Sequence, residues 1–243
     1  MTKRFTFLVL LIVISSTAGF AQKNWGGGVD DEPLHFGFTF QYVSAEYKIL
    51  KKESWREQVT PPPGEDTKPA LYSMSSPVSP GFGLGFVSNY RMGNNADVRF
   101  TPALVFSDRM IDYNYASAAD FRQQKIQSTL IDFPLGIKVK SDRRKNFRAY
   151  FLAGAKYSID IVSKKKTNDV EMVFTEKFVK NNRNILWYEA GVGLDLYFEF
   201  FKLSPEIKLA NSVQSVLQPE NHPYSAPIDK IFLRNLQFSL YFE

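Results

Sequence analysis

The chain has 243 residues, no cysteine, and 30 Lys and Arg against 25 Asp and Glu, for a formal net charge of +5. Without cysteine it holds no disulfide and lacks the acyl-accepting residue of a lipoprotein; its positive balance is spread along the chain, which argues against a nucleic-acid reader. With 22 Phe and 12 Tyr it is 15% aromatic, an enrichment that favours strands over helices.

The first residues carry Lys3 and Arg4, an apolar run over 5–14, and small residues at Gly19 and Ala21. That layout predicts a secretory signal peptide over 1–21, cleaved after Ala21. The run is too short to cross about 30 Å of hydrocarbon as a helix, and nothing later reaches 18 uncharged apolar residues. Residues 22–34, with Gly26, Gly27 and Gly28, read as a flexible segment leading into one domain over 35–243.

From His35 the chain alternates with period two. Phe36, Phe38, Phe40 and Tyr42 fall on one face and His35, Gly37, Thr39 and Gln41 on the other, as expected of a strand with an apolar neighbour outside and a packed or wet one inside. The pattern returns near 81–91, 97–107, 127–140, 147–161, 186–198, 201–209 and 234–242. Segments of this length match the 9 to 11 residues that a tilted membrane strand needs.

The connections alternate in length. Short turns lie at 92–96, at 141–146 and around Glu199 and Phe200, whereas the links near 46–80, 108–126, 162–184 and 211–232 are long. Short periplasmic turns and long external loops are the rhythm of an outer-membrane barrel. The expected fold is therefore all-β: an eight-stranded antiparallel transmembrane β-barrel of the outer-membrane type, closed between its first and last strands, with both termini in the periplasm. A secreted soluble all-β protein is the rival reading. Pro102, Pro134 and Pro205 fall inside strands and predict bulges or distorted pairing.

Parity places Arg99, Lys138, Arg148, Lys156, Lys202 and Lys208 in the lumen with Asp97, Asp132, Asp160, Glu189, Asp195, Glu199 and Glu206. Such opposite charges can pair across a lumen that side chains fill rather than leave open, and glycines at 81, 83, 85, 191 and 193 make room for them. The functional alternative for this network is a proton or solute path.

Reaction chemistry is sparse. His35 and His222 lie at opposite ends of the expected barrel, so no metal or other cofactor is expected. His222 with Ser225 is the one pair that imitates a lipid-modifying enzyme. The 60–66 segment TPPPGED reads as a stiff arm or cap, Lys164, Lys165 and Lys166 can meet anionic lipopolysaccharide, and the alternation over 170–179 reads as a ribbon extending strands five and six.

The segments GFGLGFVSNYRMGNNADVRFTPALVFSDR (81–109), DFPLGIKVKSDRRKNFRAYFLAGAKYSID (132–160), LSPEIKLANS (203–212) and RNLQFSLYFE (234–243) resemble the PorT family of Bacteroidota, called SprT in gliding species. The resemblance implies an accessory or assembly factor of type IX protein secretion, supporting export of surface proteins and gliding adhesins. It also implies partners among the other outer-membrane subunits, the large translocon channel included, in outer-membrane lipid, and it supplies no catalytic or ligand residue. A small structural or adhesin-like barrel and an outer-membrane lipid-modifying enzyme are the alternatives.

Overall fold

Period-two alternation sends successive side chains to opposite faces of an extended chain, and the segments that carry it are strands. A computed structural model describes Trp25 and residues 32–116, 121–161 and 172–243. The expected signal peptide and Lys164, Lys165 and Lys166 lie outside the described residues. In chain order the strands are β1 (Leu34–Lys51), β2 (Leu71–Ser75), β3 (Ser79–Arg91), β4 (Ala96–Phe100), β5 (Ala103–Ser107), β6 (Arg109–Tyr115) and β7 (Phe121–Ile126). They continue with β8 (Thr129–Lys140), β9 (Phe147–Asp160), β10 (Lys180–Asn181), β11 (Asn184–Tyr197), β12 (Lys202–Ser212), β13 (Leu217–Gln218) and β14 (Ile228–Phe242).

The main sheet runs β1-β14-β12-β11-β9-β8-β4-β3-β5, with further pairings of β1 to β3 and β8 to β5. Because β1 pairs with β14 on one edge and β3 on the other, the sheet forms a ring of eight positions, one of them shared by β4 and β5. The expectation of an eight-stranded barrel is corrected accordingly: the described residues form fourteen strands in three sheets, and the ring itself contains nine of them.

The ninth arises from proline. Phe100 pairs with Leu135 and Ala103 with Asp132, in unbroken register, so Thr101 and Pro102 lie opposite Pro134 and Phe133. Neither proline has an N–H to give to the ladder, and the expected third strand splits in two. Thr101 N still donates to the Pro134 carbonyl (3.2 Å) and Phe86 N to the Pro102 carbonyl (2.9 Å). Pro205 keeps its place opposite Leu240 in β14. On its other side the β11–β12 pairing jumps from Gly193 with Glu206 to Leu196 with Leu203.

The other two sheets occupy segments expected to be loops. One is β2-β6-β7 and the other is the short pair β10-β13. β6 follows β5 after a single residue, β7 leads into β8, and the β1–β14 ladder continues to Lys51 opposite Ile228; one end of the ring is thereby built upward into a cap. Residues 172–179 form no strand, so the expected ribbon is absent there; Phe174 and Val179 are buried instead.

The outer face of the ring is apolar along β1, β3, β8, β11 and β14, where Phe36, Phe86, Leu135, Tyr188 and Phe238 are all exposed. Aromatic rings stack across strands there, Phe38 on Phe242 and Phe82 on Phe106, each pair with centroids 5.0 Å apart. The inner face is divided. The half nearer the short turns is polar, and the half nearer the cap is a hydrophobic core.

Candidate functional site

At the turn end of the interior, the Glu243 carboxylate pairs with Lys202, accepts from the Asn89 amide and lies 3.8 Å from Arg99 Nη2. Arg99 donates from Nε to Asn89 Oδ1 (3.0 Å) and from Nη1 to Glu206 Oε2 (2.9 Å). It lies over the Tyr241 ring, 4.4 Å from its centroid. Glu206 also accepts the hydroxyls of Tyr150 (2.9 Å) and Tyr241 (3.1 Å), so one carboxylate on β12 gathers donors from β4, β9 and β14. Beside it Lys138 donates to Asp195 (2.7 Å), which also accepts from Ser204 (2.6 Å), and Lys140 pairs with Asp97 (2.7 Å).

Farther along, Lys208 donates to Glu189 (3.1 Å), Lys156 and Ser158 both donate to Asp132 (2.8 and 2.6 Å), and Ser128 donates to Asp160 (2.7 Å). Taking such charges out of water costs several kcal/mol per ion and is tolerated only where partners are in place. Glycine supplies part of the room. A Cβ at Gly193 would lie 2.4 Å from the Tyr150 ring, so the absent side chain is what admits the ring and with it the bond to Glu206.

Of the charges that parity places inside, Asp97, Arg99, Asp132, Lys138, Lys156, Asp160, Glu189, Asp195, Lys202, Glu206 and Lys208 are buried together in this interior. Arg148 is half-buried, as the ladder neighbour of Asp195. Glu199 is not inside: it is exposed in the turn between β11 and β12, where strand parity no longer applies. Sequence reasoning missed Lys140 and Glu243, although both continue the inward parity of their strands, and it missed Arg109, which is buried and donates to Asn235 (3.2 Å).

Above the charges Trp187 forms a floor, wholly buried, with Lys156 Nζ 4.4 Å from its ring centroid. Over it Val105, Ile111, Tyr113, Leu130, Ile185 and Ile231 from the ring and its extensions meet Leu71, Met74, Val179, Val216 and Tyr224 from the connecting segments. The Tyr113 hydroxyl donates to the Tyr224 carbonyl (2.9 Å), and the Tyr224 hydroxyl to the Thr175 carbonyl (2.8 Å). Burial pushes both hydroxyls up, Tyr113 well above the ordinary tyrosine value. The first connecting segment is tied to the third, since Glu65 accepts the Phe174 N–H at 2.6 Å.

His222 and Ser225 do not make a nucleophile and base. Both are buried within the segment they fold. His222 Nδ1 accepts the Tyr224 N–H (3.4 Å), its Nε2 lies 3.4 Å from Glu220, and Ser225 Oγ accepts the Glu220 N–H (3.1 Å). His35 lies on β1 at the opposite end. Among the described residues no group of three His, Asp or Glu is placed to hold a metal ion.

Among the described residues, two apolar depressions of the outer wall lie over the proline breaks. One, of about 520 Å³, is lined by Phe40, Leu84, Phe86, Pro102 and Leu104. The other, of about 690 Å³, is lined by Val139, Ala149, Phe151, Leu194, Pro205 and Ile207.

A filled polar interior inside an apolar outer belt is the arrangement that hydrocarbon around a ring of strands requires. Comparison with curated proteins gives no match. Among solved structures the chain is similar to the outer membrane protein OprG from Pseudomonas aeruginosa, at 11% identity over 85% of this chain and 94% of that one, with a TM-score of 0.43. It is similar to Ail, the attachment invasion locus protein of Yersinia pestis, at 10% identity over 87% and 98% of the two chains, TM-score 0.33. It is likewise similar to Neisserial surface protein A, at 11% identity over 86% and 98%, TM-score 0.37. The family described as outer membrane protein beta-barrel domain matches residues 20–218, most of the molecule whose interior and belt are described above, and the chain belongs to that family.

Proposed function

We propose that this protein is a solid, non-enzymatic structural element of the outer membrane that acts through its surfaces and conducts nothing. The observation that carries this reading is the double filling of the ring: paired charges from Glu243 to Asp160 in one half and an apolar core from Trp187 to Tyr224 in the other. In this reading the turn end and both chain ends face the periplasm, and the cap, built from the longer connections, faces outward. Reconstitution into planar bilayers tests it directly. Unitary conductance above the bare-membrane baseline in the intact protein would overturn it.

A finer reading is favoured by the strings at 81–109, 132–160, 203–212 and 234–243, which resemble the PorT family. On that reading the protein is an accessory or assembly factor of type IX secretion, and its surfaces meet other outer-membrane subunits, the large channel included, with lipopolysaccharide around the cap. Deleting the protein then leaves cargo in the periplasm while the outer membrane stays intact. Cargo that reaches the surface normally, with sensitivity to detergent as the only defect, sinks the secretion role and leaves the structural one.

A further inference from the structure

The larger wall depression has a neighbour that the smaller one lacks. Its edge is formed by Ser141 and Ala149, which close the base of the turn between β8 and β9: Ser141 N donates to the Ala149 carbonyl (2.9 Å) and Ala149 N to Ser141 Oγ (3.2 Å). The tip of that turn is Arg143, Arg144 and Lys145. Arg143 is committed, lying 3.9 Å over the Tyr197 ring and donating to the carbonyls of Lys145 and Trp25. Arg144 and Lys145 are exposed, and among the described residues no ion pair of theirs is found. Among the described residues, Asp142 of the same turn accepts from Asn95 on the adjoining turn (3.0 Å), and Glu199 is exposed in the turn between β11 and β12.

Lys145 has φ 56°, in the left-handed region. A glycine would occupy that position without steric cost, so the turn keeps a cation where its backbone favours none. Arg144 is three positions beyond Ser141, a reach of about 10 Å at most. The depression is open, apolar and within the size range of small-molecule sites, roughly 300–1,000 Å³. It lies at the turn end of the wall, between the ends of β8 and β11 and the starts of β9 and β12.

From this juxtaposition we infer that the depression is a binding site for an anionic phospholipid, whose acyl chains lie along Val139, Phe151, Leu194 and Ile207 and whose phosphate meets Arg144 and Lys145. The inference rests on the orientation given above only in assigning the lipid to the periplasmic leaflet. It is independent of any role in secretion.

The test is native mass spectrometry of the full chain titrated with phosphatidylglycerol or with phosphatidylcholine of the same acyl chains. The wild type is expected to retain phosphatidylglycerol preferentially. Arg144→Ser with Lys145→Gly is expected to weaken that retention about thirtyfold, since each basic side chain near a membrane surface contributes about fivefold toward an anionic lipid, and to leave phosphatidylcholine unchanged. Ala149→Phe, which fills the depression from an exposed wall position, is expected to weaken both lipids. Gel mobility before and after heating shows that each variant is folded. Equal retention of the two lipids by the wild type overturns the proposal, as does full phosphatidylglycerol retention by the folded variants. Because the readout is lipid binding and not cargo delivery, its failure is separate from failure of the secretion reading.

Discussion

Glu206 is the residue on which the turn-end half of the interior converges, and Glu206→Ala is the perturbation with the largest expected effect. The substitution strands Arg99 at 2% exposure, leaving it Asn89 and the more distant Glu243. Breaking a buried pair by removing one partner costs about 3–5 kcal/mol. The residual partners argue for the lower end, about 3 kcal/mol, and the hydroxyls of Tyr150 and Tyr241, both left without their acceptor, add about 1 kcal/mol each. The expected loss is therefore about 5 kcal/mol. Removing both charges, as Arg99→Met with Glu206→Leu, leaves no uncompensated ion and is expected to cost about 2 kcal/mol or less. Urea titration of protein refolded into lipid vesicles, followed by tryptophan fluorescence, measures both. Glu199→Ala, in the exposed turn, is the control and should stay within about 0.5 kcal/mol of wild type. A Glu206→Ala variant within 1 kcal/mol of wild type, or a double variant at least as damaged as the single one, refutes the reasoning.

Trp187→Ala opens a cavity between the charged half and the cap, and should cost about 3–5 kcal/mol in the same titration. Gly193→Ala drives a methyl into Tyr150 and the Pro205 carbonyl. It is expected to cost about 1–3 kcal/mol, and pairing it with Tyr150→Phe should show strong non-additivity, since both act on the bond to Glu206. In the cap, the hydroxyls of Tyr113 and Tyr224 titrate higher when folded than when unfolded. The folded cap then holds those protons more tightly, so its stability is complete below about pH 10 and falls as the pH rises beyond it. Tyr113→Phe should flatten that fall, and hydrogen exchange of β6 amides across the alkaline range measures it.

The long strands of the ring were legible, though not its division into nine, because their signal is a strong one. Hydrocarbon outside and charge inside force strict alternation, and β9, expected over 147–161, runs Phe147–Asp160. The cap was not legible as a cap, although RMIDYNY in β6 buries Arg109, Ile111, Tyr113 and Tyr115 with the same period. Its strands are short, its partner β2 lies just beyond a proline-rich stretch, and length had been the criterion for a membrane strand. In the interior, the inward charges of the parity pattern are buried or, at Arg148, half-buried, the strand-end Asp160 and Lys202 included, and the pattern misled at three edges. It stopped one step short of Lys140 and of Glu243, and it carried Glu199 inward through a turn that rotates it out. Of the three prolines, Pro102 and Pro134 turned out to share one break, a juxtaposition that only the register reveals.

The route by which the interior fills has a consequence for assembly. Arg99 arrives on β4 and Glu206 on β12, and Tyr113 on β6 meets Tyr224 just ahead of β14. Neither encounter is local in the chain. Until the seam from Phe38 opposite Phe242 to Lys51 opposite Ile228 has zipped, the lumenal charges remain hydrated and the aromatic lid has nothing to sit on. Sealing that seam is then a dehydration step as much as a pairing step: an insertion intermediate with the seam open is a water-filled gutter in which neighbouring strands already match Lys156 with Asp132 and Lys208 with Glu189, while Arg99 and Glu206, which meet across the lumen, are still apart.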